Sequence, residues 1–189
     1  MKKSFYAAFF LLVVSLASGA LKKTRDQTVA LSVDRSVVIS VPDGFTFDTG
    51  RDDSGAVVVR LASPAESVTL DLLFLPDPEG KFAGARARKE LLNEKFKTYV
   101  ESSTEKAMQF EELDPRTGAG TYCVFTDDSL VGKDKLPPGE YLHLTAGVKT
   151  WPGVINLIRC FSNDTTSAEY LAVMAMLKSS VDEKPVPLK

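Results

Sequence analysis

The sequence predicts an α+β fold, a largely antiparallel β-sheet covered by two main amphipathic helices. Three observations carry that expectation. β-branched and aromatic runs bounded by Gly, Pro, Asn or Asp recur along most of the chain and outnumber the helical stretches. The connections between them are mostly short, which favours antiparallel neighbours. Only two stretches repeat apolar residues at intervals of three and four over helical length.

The opening residues read differently. Lys2 and Lys3 precede an apolar run from Phe5 to Ala17, interrupted only by Ser15, and Ser18-Gly19-Ala20 follows with small side chains. These are the three parts of a secretory signal peptide. The expectation is a signal segment 1–20 cleaved near Ala20, and a periplasmic or secreted product. The apolar run is short for a membrane span, which needs about 20 residues, and no Cys follows it to accept a lipid. Residues 21–182 are expected to form a single α+β domain, followed by a loose tail over 183–189. Losing Lys2 and Lys3 takes the basic residues from 23 to 21 against 25 acidic ones, a formal charge of −4. That balance argues against nucleic acid and anionic lipid, which select a basic stripe.

The first strands are expected at Thr28 to Val33 and Ser36 to Val41, separated by Asp34-Arg35. Pro42-Asp43-Gly44 breaks the second run, Phe45-Thr46-Phe47 resumes it, and Ala56 to Leu61 follows. In Ser67 to Leu75, Val68, Leu70, Leu72 and Phe74 alternate with Thr69, Asp71, Leu73 and Leu75, as in a strand with one buried face. A helix is expected from about Phe82 to Lys106, its stripe formed by Leu92, Phe96, Tyr99, Val100 and Ser103. Its interleaved charges, such as Arg86 with Glu90 and Lys97 with Glu101, read as a solvated face. Further strands are expected at Met108 to Leu113, Gly120 to Asp127, Glu140 to Lys149 and Val154 to Ser162. Thr166-Ser167-Ala168-Glu169 has the spacing of a capping box. The helix it opens should run to about Val181 and bury Tyr170, Val173, Met174, Leu177 and Val181.

Asp48-Thr49-Gly50 and Asp53-Ser54-Gly55 match the triplets of aspartic proteases. Such enzymes need two carboxylates about 3 Å apart sharing a proton, delivered by loops from separate halves of the structure. These two belong to one turn between two strands. The better reading is a polar hairpin in which Gly50 and Gly55 take unusual backbone angles and the Asp side chains bond local amides. His143 is the only histidine, and no G-x-S-x-G elbow is present. Gly118-Ala119-Gly120 leads into a strand rather than a helix, so it does not cradle phosphate. The sequence thus offers no catalytic, cofactor-binding or metal-ligating constellation.

Cys123 and Cys160 suggest a disulfide in an exported chain. A turn over Thr150-Trp151-Pro152-Gly153 would set Lys149 opposite Val154 and His143 opposite Cys160. With Asp127 opposite Gly139 or Glu140, Cys123 would flank His143 on its other side. In that row the two cysteines stand nearly 10 Å apart, too far for a bond. A disulfide and two buried thiols both remain open; a Cys–His–Cys metal site would want a fourth ligand, and none is evident. Trp151, the only tryptophan, is expected at an exposed turn tip, where an aromatic can anchor a partner.

The run Val41-Pro42-Asp43-Gly44-Phe45 after an opening strand resembles the start of the Mog1/PsbP-like fold. Tyr122 to Gly153 resembles the late long-loop hairpin of that group, and Ser162 to Val181 its final strand end and helix. The resemblance covers nearly the whole chain after the signal segment. It implies action by protein contact, as in a GTPase-binding nuclear factor, photosystem subunits and bacterial envelope proteins. It carries no catalytic residue over to this sequence. The expected function is therefore a non-catalytic protein-binding or assembly module of the cell envelope, with no cofactor and an envelope protein as partner. The expected contact surface is the loop Asp127 to Pro138, with Asp127, Asp128 and Leu130, beside the Trp151 turn. The alternative is a small-molecule- or metal-binding enzyme, such as a hydrolase, with its site under the helices.

Overall fold

The computed structural model describes residues 23–113, 116, 118–179 and 181–185. The expected signal segment and its cleavage position lie outside the described residues. Among these, no helix is long and apolar enough to cross a membrane.

The elements follow in the order β1 Thr24–Ala30, β2 Arg35–Pro42, β3 Thr46–Arg51, β4 Val57–Ala62, β5 Val68–Asp77 and α1 Ala85–Ser102. Then come β6 Glu111–Leu113, β7 Ala119–Thr126, β8 His143–Trp151, β9 Gly153–Ser162, α2 Ala168–Ser179 and β10 Val181–Pro185. The strands form two antiparallel sheets. The larger has the order β3-β4-β5-β9-β8-β7-β6, and the smaller β1-β2-β10. The α+β class and antiparallel pairing are as the sequence predicts. The second sheet is not, because the break at Pro42-Asp43-Gly44 sends the chain out of one sheet and into the other.

Each face of the large sheet has its own cover. α1 packs on β7 and β8, joining Leu91, Leu92 and Phe96 to Cys123, Phe125, Leu144 and Ala146. On the opposite face, α2 and the small sheet enclose the main core. Val37 and Ile39 of β2 meet Leu61, Leu70 and Leu72 of the large sheet and Val173 and Leu177 of α2. The alternation in β5 fixes its faces: Val68, Leu70, Leu72 and Phe74 are at most 3% exposed, and Leu73 and Leu75 half-buried.

Both helices differ in detail from the expectation. α1 is shorter, and non-helical angles at Phe96 (φ −118°, ψ 16°) kink it. Downstream of the kink Tyr99 turns out of the stripe and is 39% exposed. Arg88 is buried instead. Its guanidinium donates to Thr121 Oγ1 at 3.1 Å and to Ala83 O at 2.5 Å, and pairs with Glu112 at 3.4 Å. Those contacts tie α1 to β6 and β7, which a pattern of apolar residues could not show. Arg86 and Glu90 form the expected pair at 2.7 Å, whereas Lys97 and Glu101 form none. α2 is capped by Ser167, whose Oγ accepts the Tyr170 amide at 3.2 Å. Thr166, expected as the cap, instead gives its hydroxyl to Asp164. The helix ends at Ser179, and Val181–Pro185 pairs with β2 from Val181–Ile39 to Pro185–Arg35. The chain expected to begin a loose tail at residue 183 is thus strand as far as Pro185, because β2 offered an open edge.

Candidate functional site at the β7–β8 loop

The β8–β9 turn decides where the predicted site residues lie. Pro152 fixes its own φ and Gly153 takes φ +79°, so a two-residue Pro-Gly connection suffices. Trp151 then pairs with Val154, Lys149 with Asn156, and His143 with Ser162. This is two residues out of the expected register, since the sequence reading spent Thr150 and Trp151 on the turn. The row Cys123–His143–Cys160 therefore does not form. Cys160 lies opposite Thr145, and Cys123 opposite Ala146. Those are adjacent rows, so the sulfurs sit on opposite faces, Cys123 under α1 and Cys160 under α2. Both cysteines are free and buried, and the structure holds no bridge between them. Burial pushes each thiol up to about 12.

Trp151 is not an exposed tip. It is 9% exposed, stacks on Phe74 with ring centroids 6.3 Å apart, and carries the Lys149 ammonium over its ring at 5.4 Å. It also stands at the far end of β8 from the long loop. Eight residues of strand, roughly 26 Å, separate it from His143, so the two halves of the expected surface do not meet.

His143 has a defined neighbourhood. Thr126 gives its backbone N–H to Glu105 Oε2 at 2.9 Å and its hydroxyl to Oε1 at 2.8 Å. With that hydroxyl proton committed to the carboxylate, Thr126 Oγ1 accepts from His143 Nδ1 at 3.1 Å. Burial holds the imidazole below its ordinary value, against the opposing charges of Glu105 and Asp164. This order, carboxylate to hydroxyl to imidazole, is not that of a nucleophile activated by its base. There the hydroxyl proton passes to the imidazole and the carboxylate orients the ring. Among the described residues no group of three or more His, Cys, Asp or Glu is placed to hold a metal ion.

The protease-like triplets lie where expected, in β3 and the β3–β4 turn, exposed. Asp48 Oδ1 accepts the Thr49 amide at 2.9 Å. Asp52 Oδ1 accepts the Ser54 and Ala56 amides and the Ser54 hydroxyl, which holds its carboxyl below the usual range. Gly55 has φ +83°, whereas Gly50 keeps ordinary strand angles.

The loop from Asp127 to Leu142 is pinned at both ends. Asp127 N donates to Leu142 O at 2.9 Å, and Asp128 N to Ser102 O at 3.0 Å. Asp127 Oδ1 takes the Ser129 amide and hydroxyl, and Asp128 pairs with Lys106 at 3.3 Å. Both carboxylates therefore shape the loop's first turn. Leu130 is 3% exposed and folds under the loop. Between loop, α1 and sheet lies a depression of ≈ 200 Å³ whose apolar wall includes Tyr99, Phe125, Leu130, Tyr141, Leu144 and Phe161. Its rings stack in pairs, Tyr99 with Phe125 at 6.4 Å and Tyr141 with Phe161 at 5.7 Å. Val131, 53% exposed, stands next to Leu130 in the same loop.

Of the four expected surface residues, Asp128 alone is exposed. Tyr99, Val131, Tyr141 and Phe161 were missed. Tyr99 matched the spacing of a buried stripe, and it lies downstream of the kink at Phe96, partly exposed. Phe161 alternates with buried Cys160 and Ser162, a signal for the opposite face of β9 that strand parity does contain.

Fold and depression together define an α+β protein of two antiparallel sheets with a shaped apolar hollow under one pinned loop. Compared with known protein families and with curated proteins, the chain matches none.

Proposed function

We propose that the protein is a non-catalytic binding module of the cell envelope, built on a Mog1/PsbP-like fold. It engages a partner protein through the hollow under the β7–β8 loop. One observation carries the reading: exposed Tyr99 lines an aromatic depression sized for a single anchoring side chain, and the loop above it presents exposed Val131, next in the chain to the lining residue Leu130. Such anchors, seated in a pocket and ringed by contacts that exclude water, supply most of the free energy at protein interfaces. The loop is pinned before binding, so less ordering entropy opposes association. The expected export signal places the partner outside the cytoplasm, and the family resemblance favours action by contact.

The test is photo-crosslinking in cells with a reactive residue at Val131, and at Leu171 on α2 as a control. Leu171 is 55% exposed on the other side of the large sheet. A single protein captured at Val131 and not at Leu171 is expected. The purified partner should then lose about tenfold or more in affinity on Tyr99→Ala, as for a contact residue at an interface centre. Equal capture at both positions, or unchanged affinity in Tyr99→Ala, would overturn the reading.

A further inference from the structure

A second depression, of ≈ 530 Å³, lies at the opposite end of β8, where the β1–β2 and β3–β4 turns meet the β8–β9 turn. Its floor is apolar and drawn from the β1–β2 turn and the large sheet: Leu31, Val57, Phe74 and Val154. Its polar rim carries Arg35 and Arg51. Among the described residues no Asp or Glu lines it, although the chain as a whole has a formal charge of −2.

The Arg51 guanidinium is oriented by backbone. Arg51 donates to Gly55 O at 2.7 Å and to Leu31 O at 3.3 Å, two neutral carbonyls that position its charge without cancelling it. Arg35 donates to Pro152 O. A Cβ on Gly153 would come within 2.6 Å of Arg35 Nη1, so the guanidinium end lies close over the β8–β9 turn. Asp52 turns back to accept the Ser54 hydroxyl of its own turn, whereas Asp34, which accepts the Ser32 hydroxyl, also feels the Arg35 charge. Ligand pockets commonly measure about 300–1,000 Å³ and combine apolar walls with a few placed polar groups. Arginine's planar fork matches carboxylate and phosphate oxygens two at a time.

We propose that this cleft binds a single-chain amphiphile with an anionic headgroup, a carboxylate or a phosphate monoester. The headgroup is held at Arg51, and the hydrocarbon chain lies over Val57, Phe74 and Val154. This site is independent of the proposed partner surface, at the other end of β8.

Calorimetric titration of the purified protein, with every amphiphile below its micelle concentration, tests it. Octanoate, decanoate and dodecanoate should bind one to one, the affinity rising about fourfold per methylene as apolar surface is buried. Dodecyl phosphate against dodecanoate separates the two headgroups. 1-Decanol should bind more weakly than decanoate. Arg51→Gln should weaken both anions about tenfold or more and leave 1-decanol unchanged. Ser32→Glu, an exposed rim substitution, should weaken both anions as well, and serves if Arg51→Gln fails to fold by circular dichroism. No saturable binding of any anionic amphiphile, a flat chain-length series, or equal affinity for decanoate and 1-decanol would overturn the proposal. So would variants, folded like the parent, that bind the anions as tightly as it does.

Discussion

Asn156 has no exposed surface, and neither polar atom of its side chain has a hydrogen-bond partner in the protein. It faces Lys149, also fully buried, whose Nζ donates to Leu177 O at 3.0 Å. An amide left without partners in a core costs about 1–3 kcal/mol. Asn156→Leu, of similar volume, should therefore raise unfolding stability by about 1 kcal/mol in urea titrations. A loss instead would mean that the amide supports the Lys149 ammonium. The thiols allow a second expectation. Cys123 and Cys160 are buried and pushed up to about 12, so neither is thiolate at neutral pH. A thiol-reactive dye should label both only as fast as the protein opens, and rapid labelling of the native protein would contradict their burial. His143 supplies a third. Its folded value is depressed, so the unfolded chain binds the proton more readily. Its contribution to stability is therefore full above the ordinary value of 6.5 and lost as pH falls through the folded value. Replacing it by Gln should flatten the stability profile between about pH 5 and 7, above the carboxylate range. An unchanged profile would assign the slope to other groups.

At the scale of elements, the ends proved harder to read than the middles. Every expected strand and both helices exist, because alternation and three-four spacing report directly which face is buried. Their limits depend on caps and turns that compete within one or two residues. Thr166 and Ser167 both suit an N-cap, and geometry selects Ser167 because Thr166 is engaged by Asp164. Ser167→Ala should cost about 1 kcal/mol, and Thr166→Ala, on an exposed side chain, under about 0.5 kcal/mol. Chemical denaturation of the pair distinguishes them; the reverse order would restore the capping box centred on Thr166. The two-residue Pro152-Gly153 turn had a larger consequence. A shift of two residues keeps every side chain on its own face, so the hydrophobic pattern alone could not detect it. It nevertheless moved each cross-strand partner and dissolved the Cys123–His143–Cys160 row.

Over the whole molecule, β10 closes the small sheet against β2, the strand that also lines the main core through Val37 and Ile39. Ending the chain after Ser179 would leave that edge of β2 unpaired. At about 1 kcal/mol net per ladder hydrogen bond, the truncated protein should melt several degrees lower. An unaltered melting temperature would show that β10 adds nothing to the fold. The two depressions lie at opposite ends of β8, one aromatic beneath a loop and one rimmed by arginine between sheets. The sequence pointed to the loop over the first but not to the hollow beneath it, and the second was not legible at all. The lining of the arginine cleft comes from positions 31 to 154, and nothing in local spacing reports that such distant positions converge.

The sequence by itself determined the α+β class, the succession of strands and helices apart from β10, and the buried face of most of them, because periodicity is a local record of burial. It also excluded the protease reading of Asp48 and Asp53, since one hairpin cannot bring two loops together. Only the tertiary structure decided that there are two sheets, that Trp151 is buried against Phe74, and that Cys123 and Cys160 lie on opposite faces. Those outcomes rest on register and on which edge meets which. Both are set by turn geometry and by contacts between residues far apart in the chain, which no short window of residues contains.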